Sequence, residues 1–315
     1  MRVLFIGTGA IGVPALQALI NSTEHELVGV ITGSDKPVGR EQRIEPSPIK
    51  KAIGRARPSA TGRIRRGEPG APILQPARIK EPQTVADIRA LAPDAIVVMA
   101  YGQILPRDVL EIPRLACLNL HASLLPRWRG AAPIQAVIAA GDRETGITVM
   151  YMAEGLDTGD ILLQRQIDIL PNDTGGTLHD RLAQIAPEAL LESLHLLARG
   201  NAPRVPQDNT RASYAPKLTR EHGRIDWNEP ADVIARKIRA YNPWPGAFAK
   251  LDNRNLKIFS AAIVDLSGKP GEILRSDKEL VIAAGEMALS LHEVQLEGKK
   301  RMSAAEFLKG FRVSL

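Results

Sequence analysis

The stretch MRVLFIGTGAIG, residues 1–12, begins the chain with a strand pattern that runs directly into a glycine-rich turn. Arg2 to Ile6 has the nearly continuous apolar character of a strand in a parallel sheet, which is buried on both faces. Pro14 follows the turn at a position that suits the first turn of a helix extending to about Ile20. A strand, a tight turn and a helix in this order indicate the first β–α unit of an α/β domain.

The same alternation continues through the first two thirds of the chain. Apolar runs predict further strands at residues 27–31, 94–99, 118–120, 146–152 and 161–169, and helical periodicity predicts helices at 131–140 and 177–198. Gly141 and Gly200 follow the two helices as stop signals. This order of elements predicts a doubly wound, mostly parallel, Rossmann-like α/β sheet.

The pattern changes after Gly200. A proline-rich stretch predicts a linker at residues 203–207, between a first domain at 1–202 and a second at 208–315. In the second domain one helix at 231–240 precedes short strand-like runs at 247–251, 256–264, 272–274, 280–283 and 287–294. Several short strands separated by turns predict a small β-barrel of the oligonucleotide-binding type.

Composition argues against several classes of protein. The 315 residues, 44% of them hydrophobic and 24% charged, are sufficient for two globular domains. No apolar run approaches the roughly 20 residues of a membrane helix, and the first residues lack a signal-peptide layout. The single cysteine, Cys117, rules out an internal disulfide and is expected to be a buried core residue. The cytoplasm is therefore the expected compartment.

The formal charge of +6 is unevenly distributed along the chain. Residues 40–68 contain nine basic and three acidic residues, and residues 210–315 contain eighteen basic and thirteen acidic residues. Clustered lysine and arginine side chains can follow a nucleic-acid backbone, but a solvated basic loop has the same composition. Residues 40–70 are rich in arginine, proline and glycine without sustained periodicity, which predicts a mobile loop.

The glycines at residues 7–12 have the spacing of a dinucleotide-binding fingerprint. A nicotinamide enzyme places an acidic residue at the end of the second strand, whereas here that strand ends at Ile31 and Asp35 follows slightly late. The alternative is a tight turn in which the glycines permit close packing and bind nothing. The missing acidic residue favours this second interpretation.

Asn119 and His121 lie near the predicted carboxyl end of a strand, where open α/β sheets bind their ligands. They are two residues apart, so both side chains leave the same face. A carboxamide and an imidazole together suit polarising a carbonyl and moving a proton, although a hydrogen-bonded core pair has the same pattern. Asp157, in the glycine-flanked turn at 155–160, could orient His121 or could belong to a structural Asx turn.

Two guanidinium groups and an indole follow this strand. Arg127, Trp128 and Arg129 could together hold an anionic or aromatic ligand by charge and stacking. A surface turn packed on the indole has the same sequence. The residues alone leave both interpretations open.

Taken together, these stretches resemble the folate-dependent formyltransferase family along nearly the whole chain. The segments that carry the resemblance are residues 45–50, 100–106, 119–134, 155–160, 224–227, 240–245 and 298–303. The block that starts at Asn119, combined with the LDTGD sequence at 156–160, is highly specific to the family. The C-terminal segments are similar to members that act on methionyl-tRNA rather than on sugar nucleotides or purine intermediates.

The resemblance implies transfer of a formyl group from 10-formyltetrahydrofolate to the α-amine of methionine on initiator tRNA, through a tetrahedral intermediate and without metal or NAD. It implies that the protein is a monomer, that its C-terminal barrel binds the tRNA acceptor arm, and that Asn119, His121 and Asp157 are catalytic. The residues matching folate-contacting segments are Ser123, Leu124, Leu125, Pro126, Tyr101, Gly102, Gln103, Ile104 and Leu105. The residues assigned to tRNA binding are Arg40, Arg43 and Lys50.

Some positions depart from the family's usual pattern. Ala122 stands where glycine is usual, so the backbone there must avoid a positive φ. Gly9 stands where proline is common, which creates the dinucleotide-like spacing. The loop after Lys51 is longer than typical, which changes its expected tRNA contacts and leaves the catalytic residues unaffected.

Overall fold

The computed structural model describes residues 1–39, 41–55, 71–251 and 253–311. The chain divides into two compact units that are discontinuous in sequence. The first consists of Met1–Gly130, Thr145–Ile167 and His179–Tyr214, and the second of Ala131–Glu144, Asp168–Leu178 and Ala215–Leu315. The linear boundaries at 1–202, 203–207 and 208–315 remain a prediction.

Strands and helices alternate from the start of the chain to residue 198. In chain order they are β1 Arg2–Gly7, α1 Val13–Asn21, β2 Glu26–Ile31, β3 Lys36–Val38, β4 Arg43–Glu45, α2 Pro48–Arg55, β5 Ile73–Leu74, α3 Pro82–Ala90, β6 Ala95–Met99, α4 Arg107–Leu110, β7 Ala116–His121, β8 Arg129–Gly130, α5 Pro133–Ala140, β9 Glu144–Tyr151, β10 Ile161–Asp168 and α6 Gly175–Ala198. The predicted α/β alternation is confirmed.

Seven of these strands form one sheet in the order β10-β9-β7-β6-β1-β2-β5. The pairs among β1, β2, β5, β6 and β7 are parallel, and β9 is antiparallel to β7. The chain adds β2 and β5 on one side of β1 and then β6 and β7 on the other. This reversal creates a switch point beside β1, and ligands of such sheets bind at the carboxyl ends of the strands that flank it. The predicted doubly wound, mostly parallel fold is confirmed.

The central strands are buried because their apolar runs are continuous. Val3 to Ile6 of β1 and Ala95 to Val97 of β6 are completely inaccessible to solvent. One apolar cluster joins these strands to α3 and α4 through residues such as Ile88 and Val109. A core of this kind fixes the positions of the strand ends that carry polar residues.

The glycine-rich turn after β1 is a packing device. A Cβ atom at Gly7 would lie 2.7 Å from the carbonyl oxygen of Met99, so only glycine fits. The backbone N–H groups of Thr8 and Gly9 both donate to the carbonyl oxygen of Ala100, each at 3.1 Å. These donors are directed at the neighbouring strand end, which supports the tight-turn interpretation.

Part of the predicted mobile loop at residues 40–70 is regular structure, so that prediction is wrong for β4 and α2. The hydroxyl of Ser47 accepts a hydrogen bond from the backbone N–H of Lys50 at 3.1 Å, and Pro48 is the first residue of α2. Ile49 is fully buried. A serine N-cap followed by proline is a sequence signal that could have located this helix.

The second unit contains an antiparallel sheet. The remaining elements are β11 Tyr214–Ala215, α7 Ala231–Ala240, β12 Ala247–Leu251, β13 Arg254–Val264, β14 Ile273–Arg275, β15 Leu280–Ala283, β16 Ala288–Leu296, β17 Met302–Ser303 and α8 Ala304–Gly310. The sheet order is β12-β13-β16-β15-β14, with β17 also paired to β16. α7 and α8 contribute Ile234, Ile238 and Phe307 to its core. The predicted small β-barrel domain is confirmed in the form of a curled, antiparallel half-barrel.

None of the helices in the described ranges has the length and apolar character that crossing a bilayer requires. Within the same ranges, no three histidine, cysteine, aspartate or glutamate side chains come together in the manner of metal ligands.

Candidate active site

Strand β7 brings two polar side chains to the carboxyl end of the sheet. Its last residue is His121, and Asn119 precedes it on the same face. β7 lies between β6 and β9, so the backbone that carries both residues is held on each side by a strand ladder. His121 is 6% exposed. The sequence places these residues at this edge, and the structure brings them together there.

The carboxylate of Asp157 lies between these two side chains. Its Oδ1 is 3.4 Å from Nδ2 of Asn119, and its Oδ2 is 3.6 Å from Nδ1 of His121. The backbone N–H of Gly130 donates to Oδ2 at 2.8 Å. The side chain of Asp157 is 13% exposed, so little water screens this group of charges and dipoles.

The second nitrogen of His121 is also paired. Nε2 lies 2.8 Å from the carbonyl oxygen of Trp128. A carbonyl can only accept, so Nε2 carries a proton and Nδ1 is the nitrogen that faces Asp157. The residue that supplies this carbonyl has a φ of +62°, an uncommon value for a tryptophan. The imidazole is therefore held in one orientation.

The turn that carries Asp157 requires glycine close by. Asp157 has a φ of +52°, in the left-handed region. A Cβ atom at Gly159 would lie 1.7 Å from the carbonyl oxygen of Tyr151, so the two backbone segments touch directly. Because the carboxylate of Asp157 accepts from Gly130, its contacts extend beyond a local Asx turn.

The segment 123–126 is fastened to β9 and β10 by side chains that the sequence analysis did not single out. Thr148 donates to the carbonyl oxygen of Ser123 at 2.6 Å and accepts from the backbone N–H of Leu125 at 3.1 Å. Gln164 donates to the carbonyl oxygen of Leu125 at 3.0 Å. A buried threonine inside an apolar strand was the available signal.

The two ends of this segment have further local contacts. The hydroxyl of Ser123 donates to the carbonyl oxygen of Arg127 at 2.8 Å, which closes the loop on itself. Leu125 is buried, and Leu124 and Pro126 are half-buried. The backbone of these residues is thus fixed at the carboxyl side of β7.

The segment 101–105 follows β6. Tyr101 is 7% exposed, its hydroxyl is a buried polar atom with no hydrogen-bond partner among the described residues, and burial raises its pKa to about 12. Gln103 accepts from the backbone N–H of Ile79 at 2.9 Å, so it holds a neighbouring loop. Leu105 is buried, whereas Gly102 and Ile104 are exposed.

Of the three residues assigned to tRNA binding, Arg40 lies outside the described residues. Arg43 forms an ion pair with Glu41 at 2.7 Å, and both side chains are more than 70% exposed. An ion pair in this setting is worth little because water and salt screen it. Arg43 can therefore exchange its carboxylate partner for a phosphate.

Lys50 has a different environment. Its ammonium group contacts the carboxylate of Asp35 at 2.8 Å and the side-chain oxygen of Gln75 at 2.7 Å. Hydrogen bonds from Gln75 and Lys50 hold the pKa of the Asp35 carboxyl below its ordinary value. Lys50 is thus part of a local network that packs α2 against the end of β5.

Two other residues that the sequence analysis discussed are structural. Arg129 is 2% exposed, and its guanidinium donates to the side-chain oxygens of Gln207 and Asn209, so it does not hold a ligand as one interpretation supposed. Cys117 is buried, and burial raises the pKa of its thiol to about 12, in keeping with a core residue.

Thr148→Val is expected to lower the free energy of unfolding by about 1–3 kcal/mol, because it keeps the shape but leaves the N–H of Leu125 and the carbonyl of Ser123 unpaired. Urea-induced unfolding measures this change. Thr145→Val on the same strand is the matched control, since Thr145 is 1% exposed and its hydroxyl has no partner in the described part of the chain. A loss as large for the control would contradict the assignment.

The chain matches known proteins along nearly its whole length. Residues 1–194 match the family model described as formyl transferase, and residues 217–312 match that described as formyl transferase, C-terminal domain. The chain is 43% identical over 314 residues to methionyl-tRNA formyltransferase of Geobacter sulfurreducens, covering 99% of this chain and 95% of the relative. It is 46% identical over 313 residues to the enzyme of the same name from Pseudomonas entomophila, covering 99% and 96%.

Among solved structures, HypX of Aquifex aeolicus in complex with tetrahydrofolic acid matches with a TM-score of 0.63 and 20% identity, over 98% of this chain and 47% of HypX. At this identity the match supports a shared fold.

Proposed function

The chain belongs to the formyl transferase family, and we propose that it transfers a formyl group from 10-formyltetrahydrofolate to the α-amine of methionine on initiator tRNA. The product primes translation initiation. The observation that carries the proposal is the convergence of Asn119, His121 and Asp157 at the carboxyl edge of the sheet, in a chain 43% identical to a methionyl-tRNA formyltransferase.

The reaction needs a neutral amine as nucleophile. A free α-amino group has a pKa of about 7.7–8.0, and esterification of the amino acid lowers it, so a large neutral fraction is present near pH 7. The amine attacks the formyl carbon, the carbonyl oxygen gains negative charge in a tetrahedral intermediate, and the bond to the folate nitrogen then breaks. No covalent bond to the protein is required.

Asn119 and His121 stabilise the oxygen that gains charge. Nδ2 of Asn119 carries two hydrogens, and the contact with Asp157 uses one, so the other can donate to the substrate. A well-placed donor to a developing oxyanion is worth about 3 kcal/mol. His121 adds a second donor at Nδ1 while that nitrogen carries the proton in transit, because Nε2 is occupied by the carbonyl of Trp128.

Asp157 and His121 move the proton. Nε2 is directed at the carbonyl of Trp128, so Nδ1 is the ring nitrogen that takes up the proton from the attacking amine and passes it to the leaving nitrogen. Asp157 faces that atom at 3.6 Å, which is an ion-pair distance that can shorten when substrate binds. The N–H of Gly130 keeps the carboxylate in place during the transfer.

The residues near β6 and β7 fit a folate. A pterin ring is flat, with a polar edge, and needs apolar walls with a few fixed polar groups. The buried hydroxyl of Tyr101, which has no partner in the described part of the chain, is a polar group of this kind, and the segment 123–126 supplies a fixed backbone with the buried side chain of Leu125. Bound there, the folate supplies the one-carbon unit.

Binding of tRNA is expected to weaken as salt is raised, with log affinity falling linearly against log salt concentration, because lysine and arginine release counterions from phosphates. The charge surplus at residues 210–315 motivates this expectation. Filter binding from low to moderate salt measures the slope. A variant lacking residues 208–315 should lose most of the slope together with the affinity; a flat response, or unchanged binding by that variant, would contradict a phosphate-binding role.

The function is tested by offering the protein labelled methionyl-tRNA with and without 10-formyltetrahydrofolate. We expect formylmethionyl-tRNA only when both are present. NADH and a UDP-linked amino sugar serve as controls for an oxidoreductase and for a sugar formyltransferase. Formylation of the amino sugar alone would contradict the proposed substrate.

Charged initiator tRNA is a cytoplasmic molecule, so we expect the protein to act in the cytoplasm. The family resemblance implies that it acts as a monomer.

A further inference from the structure

We propose that Gln207 is a positioning residue for formyl transfer, because its side-chain amide holds the turn that presents Asp157 to His121. The catalytic meaning of this proposal rests on the proposed function. Gln207 lies in the segment at 203–207 that the sequence pattern predicts to be a linker. In this proposal the segment does more than connect two domains, because it positions the turn that carries Asp157.

The amide of Gln207 joins the Asp157 turn to a buried guanidinium. Its Nε2 donates to the carbonyl oxygen of Asp157 at 2.9 Å and to that of Gly159 at 2.7 Å. Its Oε1 accepts from Nε and Nη2 of Arg129 at 3.1 and 2.8 Å. Every donor and acceptor position of the amide is thereby used. Because guanidinium groups only donate and carbonyls only accept, just one orientation of the amide satisfies all four contacts.

The turn depends on external contacts of this kind. Asp157 is a non-glycine residue with a φ of +52°, a conformation that persists only where the surroundings impose it. The two carbonyls that Gln207 binds lie on either side of Thr158, at the centre of the turn. Holding both therefore fixes the direction in which the Asp157 side chain leaves the backbone.

Gln207 itself is rigidly placed. The side chain of Arg129 is 2% exposed and is also fixed by the side-chain oxygen of Asn209 at 2.8 Å. The backbone of Val205 exchanges hydrogen bonds of 2.8 and 2.9 Å with Ile161, so the chain just before Gln207 is anchored to β10. Loss of the amide would therefore free the turn while the rest of this scaffold stays in place.

The discriminating variant is Gln207→Glu. It keeps the length of the side chain and both contacts with Arg129, but an ionised carboxylate cannot donate to the carbonyls of Asp157 and Gly159. We expect kcat to fall about 10-fold or more, since misplacement of a catalytic group by about 1 Å can cost up to about 100-fold. KM values for tRNA and folate should stay within about twofold of wild type, because the proposal gives Gln207 no contact with either substrate.

Asn209→Ala is the matched control. It removes another partner of Arg129 without touching the Asp157 turn, so kcat should stay within about twofold of wild type. If Arg129 and its partners Gln207 and Asn209 had only a structural role, Gln207→Glu and Asn209→Ala would lose activity together. Equal losses, or a normal kcat for Gln207→Glu, would overturn the proposal.

A double-mutant cycle tests whether Gln207 acts through Asp157. In the Asp157→Ala background, Gln207→Glu should lower the residual kcat by less than about twofold, because the route it acts through is gone. An equal loss in both backgrounds would overturn the proposal.

Hydrogen exchange of the backbone at 153–160 provides a readout that does not need catalysis. We expect Gln207→Glu, and not Asn209→Ala, to accelerate exchange in this segment. Unchanged exchange would overturn the holding role even if the wild-type protein formylates methionyl-tRNA. Faster exchange with an inactive wild type would contradict the proposed function and leave the structural role supported.

Discussion

Replacement of Asn119, His121 or Asp157 by alanine is expected to lower kcat for formyl transfer by about 100-fold or more and to leave tRNA affinity nearly unchanged. In the proposed reaction, each substitution removes a group that acts on the charge or the proton of the transition state. Asn119 and His121 both lie within 3.6 Å of the Asp157 carboxylate, so the three side chains form one group. Steady-state kinetics together with filter binding of tRNA separate the two effects.

Asp160→Ala is the control for the third substitution. It removes a carboxylate from the same turn, but Asp160 pairs only with Arg204, at 3.9 Å, and makes no contact with His121 in the described part of the chain. Its kcat should remain within about threefold of wild type, as for an exposed ion pair. Near-normal turnover in any one of the three alanine variants would remove that residue from the scheme.

Gly159→Ala is expected to disrupt the site and to lower the free energy of unfolding by about 2 kcal/mol or more. The added Cβ would lie 1.7 Å from the carbonyl oxygen of Tyr151, and neither backbone segment is a side-chain end that can rotate away. The turn must move, and Asp157, two residues earlier, moves with it. Thermal unfolding and kcat measured on the same preparation detect both consequences.

Gly54→Ala is the opposite control. Gly54 lies within α2, and a Cβ there would meet nothing within 4 Å. Alanine in place of an exposed helical glycine stabilises by about 1 kcal/mol, so the melting temperature should rise slightly and kcat should not change. If Gly159→Ala melted at the wild-type temperature with full activity, the close approach of the two backbones would be wrong.

The elements that the sequence predicts best are those whose pattern is local. The bounds of α7, β12 and β15 agree with the predicted 231–240, 247–251 and 280–283, because glycine, proline or Asp/Asn residues flank each run. α3, Pro82–Ala90, was missed because it buries little of one face, chiefly Thr84 and Ile88. β4 gives no such signal, because Arg43 and Ile44 are exposed and no buried face imposes a pattern on the strand.

The site was predictable in part for the same reason. Asn119 and His121 follow from their two-residue spacing on a strand, and the positive φ values of the described residues do not include Ala122, in line with its departure from glycine. The approach of Asp157 to His121 spans more than thirty residues, so the residues alone left it open beside a structural Asx turn, and the family resemblance favoured it.

The contact between Gln207 and the Asp157 turn joins residues that are even farther apart in sequence than Asp157 and His121. It joins residues 50 positions apart through backbone carbonyls, and neither sequence pattern nor composition records which carbonyl a glutamine will bind. A proline-rich segment predicts a linker because proline interrupts helices and strands, which says nothing about the side chains that the segment carries.

The most direct measurement is the single-turnover rate of formylmethionyl-tRNA formation with protein in excess over charged tRNA and with saturating 10-formyltetrahydrofolate. Under these conditions neither binding nor product release limits the rate. We expect His121→Ala to slow the step by about 100-fold or more relative to wild type, equivalent to about 3 kcal/mol of activation free energy. Rates within about threefold of one another for wild type and His121→Ala would contradict the catalytic role of this group.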